Sequence, residues 1–272
     1  MSYFRLKNNE EIYYEDVGSG KDTVVMSTGW TMSHDVFVKP SADLKDVARC
    51  ICYDNRGHFL SKAASSEKVT IDTLAADLNE LIEGLDLHHV TLLGWSMGVS
   101  VVLTYVRNYG CGRLKQIILC DMTPKNLNDE KWHLGLRQGT YTKETMEAEK
   151  SLPFIDRYMN FVIEAVPRLK KAPKFLLKPA LKRRLKDCDV RIMEELSHSM
   201  NEQDNRDAVW MISVPLAYFY ADPGACFMPE LAKWYGENVS VPYKAVRFEN
   251  TDHMFIENRE EKFVKEIREL LG

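Results

Sequence analysis

One serine of this 272-residue chain lies in a pattern that suits nucleophilic catalysis. Ser96 is the central residue of Gly-Trp-Ser-Met-Gly, residues 94–98. A short apolar run, residues 90–93, precedes this pattern, and a largely apolar helical pattern over residues 97–108 follows it. A serine at such a strand-to-helix turn is held at the positive end of the helix, and the nearby glycines avoid clashes of Cβ atoms. We therefore predict that Ser96 is a nucleophile; the alternative is a turn serine without chemistry.

A serine hydroxyl needs a general base, and histidine titrates in the appropriate range. His253 comes soon after the last predicted strand, residues 243–248. Parallel strands end at the same edge of a sheet, so we expect His253 to project from the same edge as Ser96. The alternative for His253 is a surface-loop histidine.

A tetrahedral intermediate also needs two N–H donors for its oxyanion. The backbone N–H of Met97, directly after the serine, is one candidate. The second is the backbone N–H of Trp30, in the loop after the apolar run at residues 23–27. The Trp30 indole then lines the pocket, or alternatively belongs to the core.

These residues depend on a particular succession of strands and helices. The predicted strands are residues 3–6 and 11–16 (a hairpin), 23–27, 50–53, 90–93, 114–120, 215–220 and 243–248. The predicted helices outside the insertion are residues 71–85, 97–108 and 259–271. Strands that alternate with helices predict a parallel sheet covered on both faces. Within the first helix, Asp72 and Asp77 fall outside the apolar stripe.

A helical insertion separates two parts of this sheet. No strand pattern occurs over residues 125–211, where helical stretches are interrupted by Pro153, Pro167, Pro173 and Pro179. We therefore divide the chain into a first core part (1–124), a helical cap insertion (125–211) and a second core part (212–272).

Composition excludes several classes of protein. Hydrophobic residues make up 45% of the chain, which excludes a disordered one, and a net charge of −4 gives no case for nucleic-acid binding. The six cysteines lack metal-ligand spacing and are predicted to be buried, reduced thiols. No signal peptide or membrane span is visible, so we expect a cytoplasmic protein.

Five landmarks together resemble the α/β-hydrolase family, in the group of non-haem haloperoxidases, carboxylesterases and the methyl-ester hydrolase of biotin synthesis. They are Thr-Gly-Trp (28–30), Tyr-Asp-Asn-Arg-Gly-His (53–58), the 94–98 turn, Asp-Met-Thr-Pro (121–124) and Asp-His-Met (252–254). The resemblance implies an α/β-hydrolase fold with a mostly parallel eight-stranded sheet covered by helices, and it makes the insertion a cap. It also implies a serine–acid–histidine triad in that chain order, with no cofactor and no metal.

The resemblance leaves two aspartates as candidates for the triad acid. In many relatives the acid follows the seventh strand, but here the expected position holds Gly224, and Asp222 is one or two positions out of register. Other members take the acid from the end of the sixth strand, where Asp121 lies. We predict Asp121, because it comes directly from a central strand; the alternative is a turn-capping aspartate before Pro124.

Other departures support a second class of function. Thr28 replaces a usual histidine, Phe59-Leu60 interrupts a familiar Gly-x-Ser, and Asp252 replaces a glycine. Of these departures, Thr28, together with Gly224, makes a ligand-sensing protein with little turnover the alternative to an enzyme.

We predict a carboxylesterase-like serine hydrolase that cleaves a small to medium ester or thioester through an acyl-enzyme on Ser96. An acyltransferase or perhydrolase using the same triad is also open. Nine basic residues and no acidic one lie between residues 165 and 186. This segment suits an acidic acyl carrier or anionic lipid, although a solvated cap helix explains it more simply. Aromatic residues suited to an acyl pocket or to cap packing are Trp132, Tyr141, Phe154, Tyr158 and Phe161.

Overall fold

One sheet of eight strands runs through the computed structural model, which describes residues 2–272. The strands are β1 (Ser2–Arg5), β2 (Glu11–Val17), β3 (Asp22–Ser27), β4 (Ala48–Tyr53), β5 (Val90–Trp95), β6 (Leu114–Cys120), β7 (Leu216–Pro223) and β8 (Tyr243–Thr251). Their spatial order is β1-β2-β4-β3-β5-β6-β7-β8. β2 pairs antiparallel with β1 and β4, and the other neighbouring pairs are parallel. The predicted mostly parallel sheet of eight strands is confirmed.

β5, β7 and β8 each continue two or three residues further toward their carboxyl ends than the sequence pattern predicts. β5 ends at Trp95, which pairs with Cys120, while Asp222 of β7 pairs with Glu249 of β8. Backbone pairing does not depend on the side-chain pattern from which the strands were predicted. These extensions bring the strand ends to the edge at which Ser96 lies.

Helices cover both faces of the sheet. They are α1 (Asp35–Leu44), α2 (Ile71–Gly84), α3 (Met97–Tyr109), α4 (Lys143–Glu149), α5 (Phe154–Ala165), α6 (Lys174–Arg184), α7 (Val190–Glu202), α8 (Arg206–Trp210), α9 (Leu231–Glu237), α10 (Phe255–Asn258) and α11 (Glu260–Leu271). Apolar side chains of α2 and α3 form the core on one face, and those of α1 and α11 form the core on the other. Helix α1, which contains Pro40 and buries Val36, Phe37 and Leu44, was not among the predicted helices.

The chain between β6 and β7 is helical, with α4–α8 and two short 3₁₀ segments, Pro167–Lys171 and Leu185–Asp187. Pro153 and Pro173 directly precede α5 and α6. The interruption predicted at Pro179 is wrong, because α6 continues through it. Buried Leu177 and Leu181 hold the helix on both sides of that proline, which outweighs the loss of one backbone hydrogen bond.

The placement of Asp77 outside the buried stripe of α2 is also wrong. Its carboxylate is buried and accepts two hydrogen bonds from Arg56, from Nε at 2.9 Å and from Nη2 at 2.5 Å. Burial raises the pKa of Asp77 to about 6, against the opposing effect of Arg56. A bidentate pair satisfies both charges, which is why the core accepts them.

All six cysteines are free and buried, as predicted. Across residues 2–272, no helix has the length and apolar character needed to cross a membrane.

Candidate active site

Ser96 occupies a strained turn between β5 and α3. Its φ and ψ are 54° and −123°, in a region that non-glycine residues rarely adopt. A Cβ on Gly98 would lie 2.2 Å from the carbonyl oxygen of Ser27, and a Cβ on Gly94 would lie 2.4 Å from that of Gly98. Glycine at both positions therefore lets the turn approach β3 and α3 closely. The serine that this turn presents is 8% exposed.

Asp121 and His253 form a buried hydrogen-bonded pair beside this turn. Asp121 directly follows β6, and its Oδ2 lies 2.7 Å from Nδ1 of His253. Since a carboxylate accepts, Nδ1 carries the proton, and Nε2 is left as an acceptor. The backbone N–H of Ala221 donates to the other carboxylate oxygen at 3.4 Å. His253 and Ser96 line the same cavity.

Trp95 and Asp252 fix the segment that carries the histidine. The indole N–H of Trp95 donates to the carbonyl of His253 at 3.3 Å. Oδ1 of Asp252 accepts from the backbone N–H of Met254 and from Nδ2 of Asn258, both at 3.0 Å. Asp252, where relatives usually have glycine, therefore stabilises the turn into α10.

The two candidate acids are in different environments. Asp222 forms an ion pair with Arg247 on β8 and is a quarter exposed. Asp121 is buried and bonded to His253. Gly224, at the position expected to carry the acid, has a φ of 77° in the loop after β7. The structure therefore brings Asp121, and not Asp222, to the histidine.

Two backbone N–H groups are available beside Ser96. Met97 is the first residue of α3, and Trp30 lies in the loop after β3. Within residues 2–272, neither N–H donates to another protein group. The loop approaches the serine closely, since a Cβ on Gly29 would lie 3.2 Å from the Cβ of Ser96. Backbone donors at a helix start and an adjacent loop suit an anionic oxygen.

The side chain of Trp30 joins this loop to the insertion. Its indole N–H donates to the carbonyl of Met193 on α7 at 3.0 Å. Its ring makes edge-to-face contacts with Phe154, Tyr158 and Phe161 of α5, at 5.6–5.8 Å between centroids. Trp30 therefore lines both cavities at Ser96 through its side chain.

Residues 54–58, after β4, hold the Trp30 loop in place. Asp54 accepts from Nδ1 of His34 at 2.9 Å and from its backbone N–H at 2.7 Å. Nε2 of His58 accepts the backbone N–H of Thr31 at 3.2 Å, while its Nδ1 faces the carbonyl of Arg56 at 3.2 Å. Burial lowers the pKa of His58 to about 4, so it is neutral and free to accept.

The role of residues 54–58 in supporting the Trp30 loop was not predicted from the sequence. Residues 54–58 appear in the sequence analysis only as a landmark of the family resemblance. One signal could have indicated it: the apolar runs before Thr28 and Asp54 are both predicted strands of one parallel sheet, so the loops that follow them lie at the same edge.

Two cavities meet at Ser96. The larger, about 340 Å³, is lined by Ser96, Trp30, Met122, Tyr141, Phe154, Phe161 and other residues. The smaller, about 210 Å³, includes Ser96, Trp30, His253, Tyr158, Phe161 and Leu181. Of the predicted aromatic set, Trp132 alone lines neither cavity and instead packs against Trp234 at 5.1 Å.

The profile of the family described as "alpha/beta hydrolase fold" matches residues 22–187. The chain belongs to the α/β-hydrolase family. This α/β-hydrolase is 36% identical over 115 residues to a putative non-heme chloroperoxidase of Synechocystis, and 36% identical over 119 residues to non-heme chloroperoxidase CPO-A1 of Kitasatospora aureofaciens. These matches cover 42% and 43% of the chain and only 41% and 42% of the relatives.

Solved structures extend the likeness of fold to the whole α/β-hydrolase chain. An esterase from Exiguobacterium antarcticum superposes with a TM-score of 0.80 over 99% of this chain and 98% of its own, at 24% identity. A bromoperoxidase from Bacillus anthracis superposes with a TM-score of 0.81 over 96% and 95%, at 23% identity. At such identities the comparison shows the fold alone.

Proposed function

We propose that this α/β-hydrolase is a serine-dependent ester hydrolase with Ser96, His253 and Asp121 as its triad. The observation that carries the proposal is the buried hydrogen bond of 2.7 Å between Asp121 and His253, because this histidine lines the same cavity as Ser96. If the Asp121–His253 pair had only a structural role, it would not explain why Ser96 beside it adopts a strained backbone conformation. Nucleophile, base and orienting acid together form the arrangement required for acyl transfer.

Hydrolysis follows in two steps. Oγ of Ser96 attacks the carbonyl carbon of the ester while Nε2 of His253 takes its proton. The N–H groups of Met97 and Trp30 stabilise the oxyanion, and the alcohol leaves with the proton from His253. Water then attacks the acyl-enzyme by the same route, which releases the carboxylic acid and regenerates Ser96. Asp121 keeps Nδ1 protonated and stabilises the imidazolium.

We assign the two halves of the substrate to the two cavities. His253 must reach the leaving oxygen, so the smaller cavity, which contains His253, takes the alcohol or thiol part. The larger cavity shares Ser96 but lacks His253, so it takes the acyl part. Its apolar lining by Met122, Phe154 and Phe161 suits a small to medium acyl chain of an ester or thioester. Residues 125–211 supply much of this lining and thus act as a cap that selects acyl groups.

The test is turnover of p-nitrophenyl esters from acetate to octanoate by wild type, Ser96→Ala and Ser100→Ala. Ser100 is a matched control, since it is a buried serine on α3, four residues further along the chain. We expect sustained turnover that is lost only in Ser96→Ala, and labelling by a fluorophosphonate probe with the same dependence. A burst without turnover would instead support a ligand sensor, and equal loss in both variants would contradict the role of Ser96.

A second candidate function is perhydrolysis. The similarity to relatives named non-heme chloroperoxidases favours it, and it needs no change of triad. Hydrogen peroxide attacks the acyl-enzyme in place of water, which yields a peroxy acid and free Ser96. The test is peroxy-acid formation from an ester plus hydrogen peroxide, measured against Ser96→Ala. Hydrolysis without any peroxy acid would exclude this second function.

A further inference from the structure

The outer face of α6 presents apolar side chains to solvent. Leu177 and Leu181 are buried, so at 3.6 residues per turn the opposite face of the helix consists of Phe175, Leu176, Pro179, Lys182 and Arg183. We call these five residues the α6 outer face. Phe175 is 75% exposed and Leu176 is 60% exposed, and Phe175 has the highest exposure among the large apolar side chains of residues 2–272.

The surroundings of the α6 outer face are strongly cationic. Residues 165–186 contain nine basic residues and no acidic one. Among the described residues, only one of the nine, Lys178, has a carboxylate partner, Asp156 at 2.6 Å. Within residues 2–272 the other eight form no ion pair, and one of them, Arg184, contacts the sulfur of Met32. The segment thus exposes uncompensated positive charge on a protein whose net charge is −4.

We propose that the α6 outer face docks on an anionic lipid surface. Apolar side chains that project from a ring of basic residues insert at the boundary of headgroups and acyl chains, while the cations attract anionic lipids. An acidic protein partner would account for the cations, but not for the exposed side chain of Phe175. The side of the same segment that faces the site reaches the cavity of His253, which Leu169, Leu181 and Arg184 line. Docking therefore places the segment that lines this cavity close to the lipid.

The test is sedimentation of the full chain with phosphatidylcholine vesicles that contain or lack phosphatidylserine. We expect binding only to the phosphatidylserine vesicles, and binding that weakens as salt is added. Phe175→Ser with Leu176→Ser removes the apolar tip, and Lys182→Glu with Arg183→Glu reverses two charges. At about fivefold in partitioning per basic residue near the surface, the charge reversal should weaken binding at least ~25-fold.

Matched variants outside α6 separate the effect of the α6 outer face from general effects of lost apolar surface or changed net charge. Val38→Ser with Met211→Ser changes two exposed apolar residues, and Lys233→Glu with Lys265→Glu gives the same change of net charge on α9 and α11. Both controls should bind vesicles as wild type does. The α6 variants and both controls should retain wild-type hydrolysis of soluble p-nitrophenyl acetate. Ser96→Ala should bind vesicles fully although it lacks hydrolysis, so the docking surface is tested apart from the triad.

Several results would overturn the proposal. They are equal binding to both vesicle types, no binding to either, and control variants that lose as much binding as the α6 variants. Binding to polyglutamate without binding to vesicles would assign the surface to an acidic protein instead of a lipid.

Discussion

Replacement of Asp121 by asparagine tests the triad with the smallest change in shape. The carboxylate is buried and accepts the Nδ1 proton of His253 at 2.7 Å. An asparagine amide has the same size but carries N–H donors. With its NH₂ toward the ring, Nδ1 becomes an acceptor and the proton moves to Nε2, which can then no longer accept the proton of Ser96.

The expected loss follows from this change of tautomer. In serine triads the same substitution lowers kcat by about 10⁴, which corresponds to ~5.4 kcal/mol of transition-state stabilisation. KM should change little, because Asp121 lines neither of the two cavities proposed to hold the substrate. The loss should therefore appear almost entirely in kcat.

Asp222→Asn is the matched control, because this carboxylate pairs with Arg247 at the surface and does not contact His253. Steady-state hydrolysis of p-nitrophenyl butyrate by the two variants, each with a wild-type circular-dichroism spectrum, gives the comparison. We expect a loss of orders of magnitude for Asp121→Asn and less than a few-fold for Asp222→Asn. The reverse ranking would refute the assignment, and small losses in both would support the sensor instead.

Three further predictions concern stability and specificity. Gly98→Ala places a Cβ 2.2 Å from the Ser27 carbonyl oxygen, so it should cost about 1–3 kcal/mol and lower the Tm; an unchanged Tm would contradict the close packing of the turn. The pKa of His58 is about 4 in the folded state and near 6.5 in the unfolded chain. Neutral His58 therefore contributes fully to stability above pH 6.5, and this contribution is lost as the pH falls toward 4. The free energy of unfolding of wild type, measured with urea, should therefore fall by about 2 kcal/mol more than that of His58→Gln between pH 7 and pH 5. Equal pH dependence of the free energy of unfolding in the two proteins would refute this. Phe154→Trp should narrow the larger cavity and reduce kcat/KM for octanoate more than for acetate, whereas Val162→Phe should alter the preference for the alcohol; interchanged effects would reverse the assignment of the cavities.

Local patterns account for what the sequence could predict about the site. The turn around Ser96 is visible because a strand, two glycines and a helix follow one another within a short stretch. His253 is recognisable by its position just after a strand. Both inferences need only neighbours in the chain, which periodicity and glycine placement report directly.

Contacts between distant segments were harder to predict. Arg56 pairs with Asp77 only because the loop after β4 packs against α2, and polarity alone placed Asp77 outside the core. Likewise, a proline usually ends a helix, but burial of Leu177 and Leu181 overrides that tendency at Pro179.

Short segments of the sequence are enough to predict an α/β-hydrolase with an eight-stranded sheet, a serine turn and a histidine at one edge. The sequence favoured Asp121 as the acid but did not exclude Asp222, because both lie at the ends of predicted strands that meet at that edge. The tertiary structure shows that Asp121 is the aspartate bonded to His253: the two residues are 132 positions apart in the chain, and the packing of β6, β7 and β8 joins their side chains. The partition of the site into two cavities was decided in the same way, because it arises where the helices of residues 125–211 meet Trp30 and Ser96.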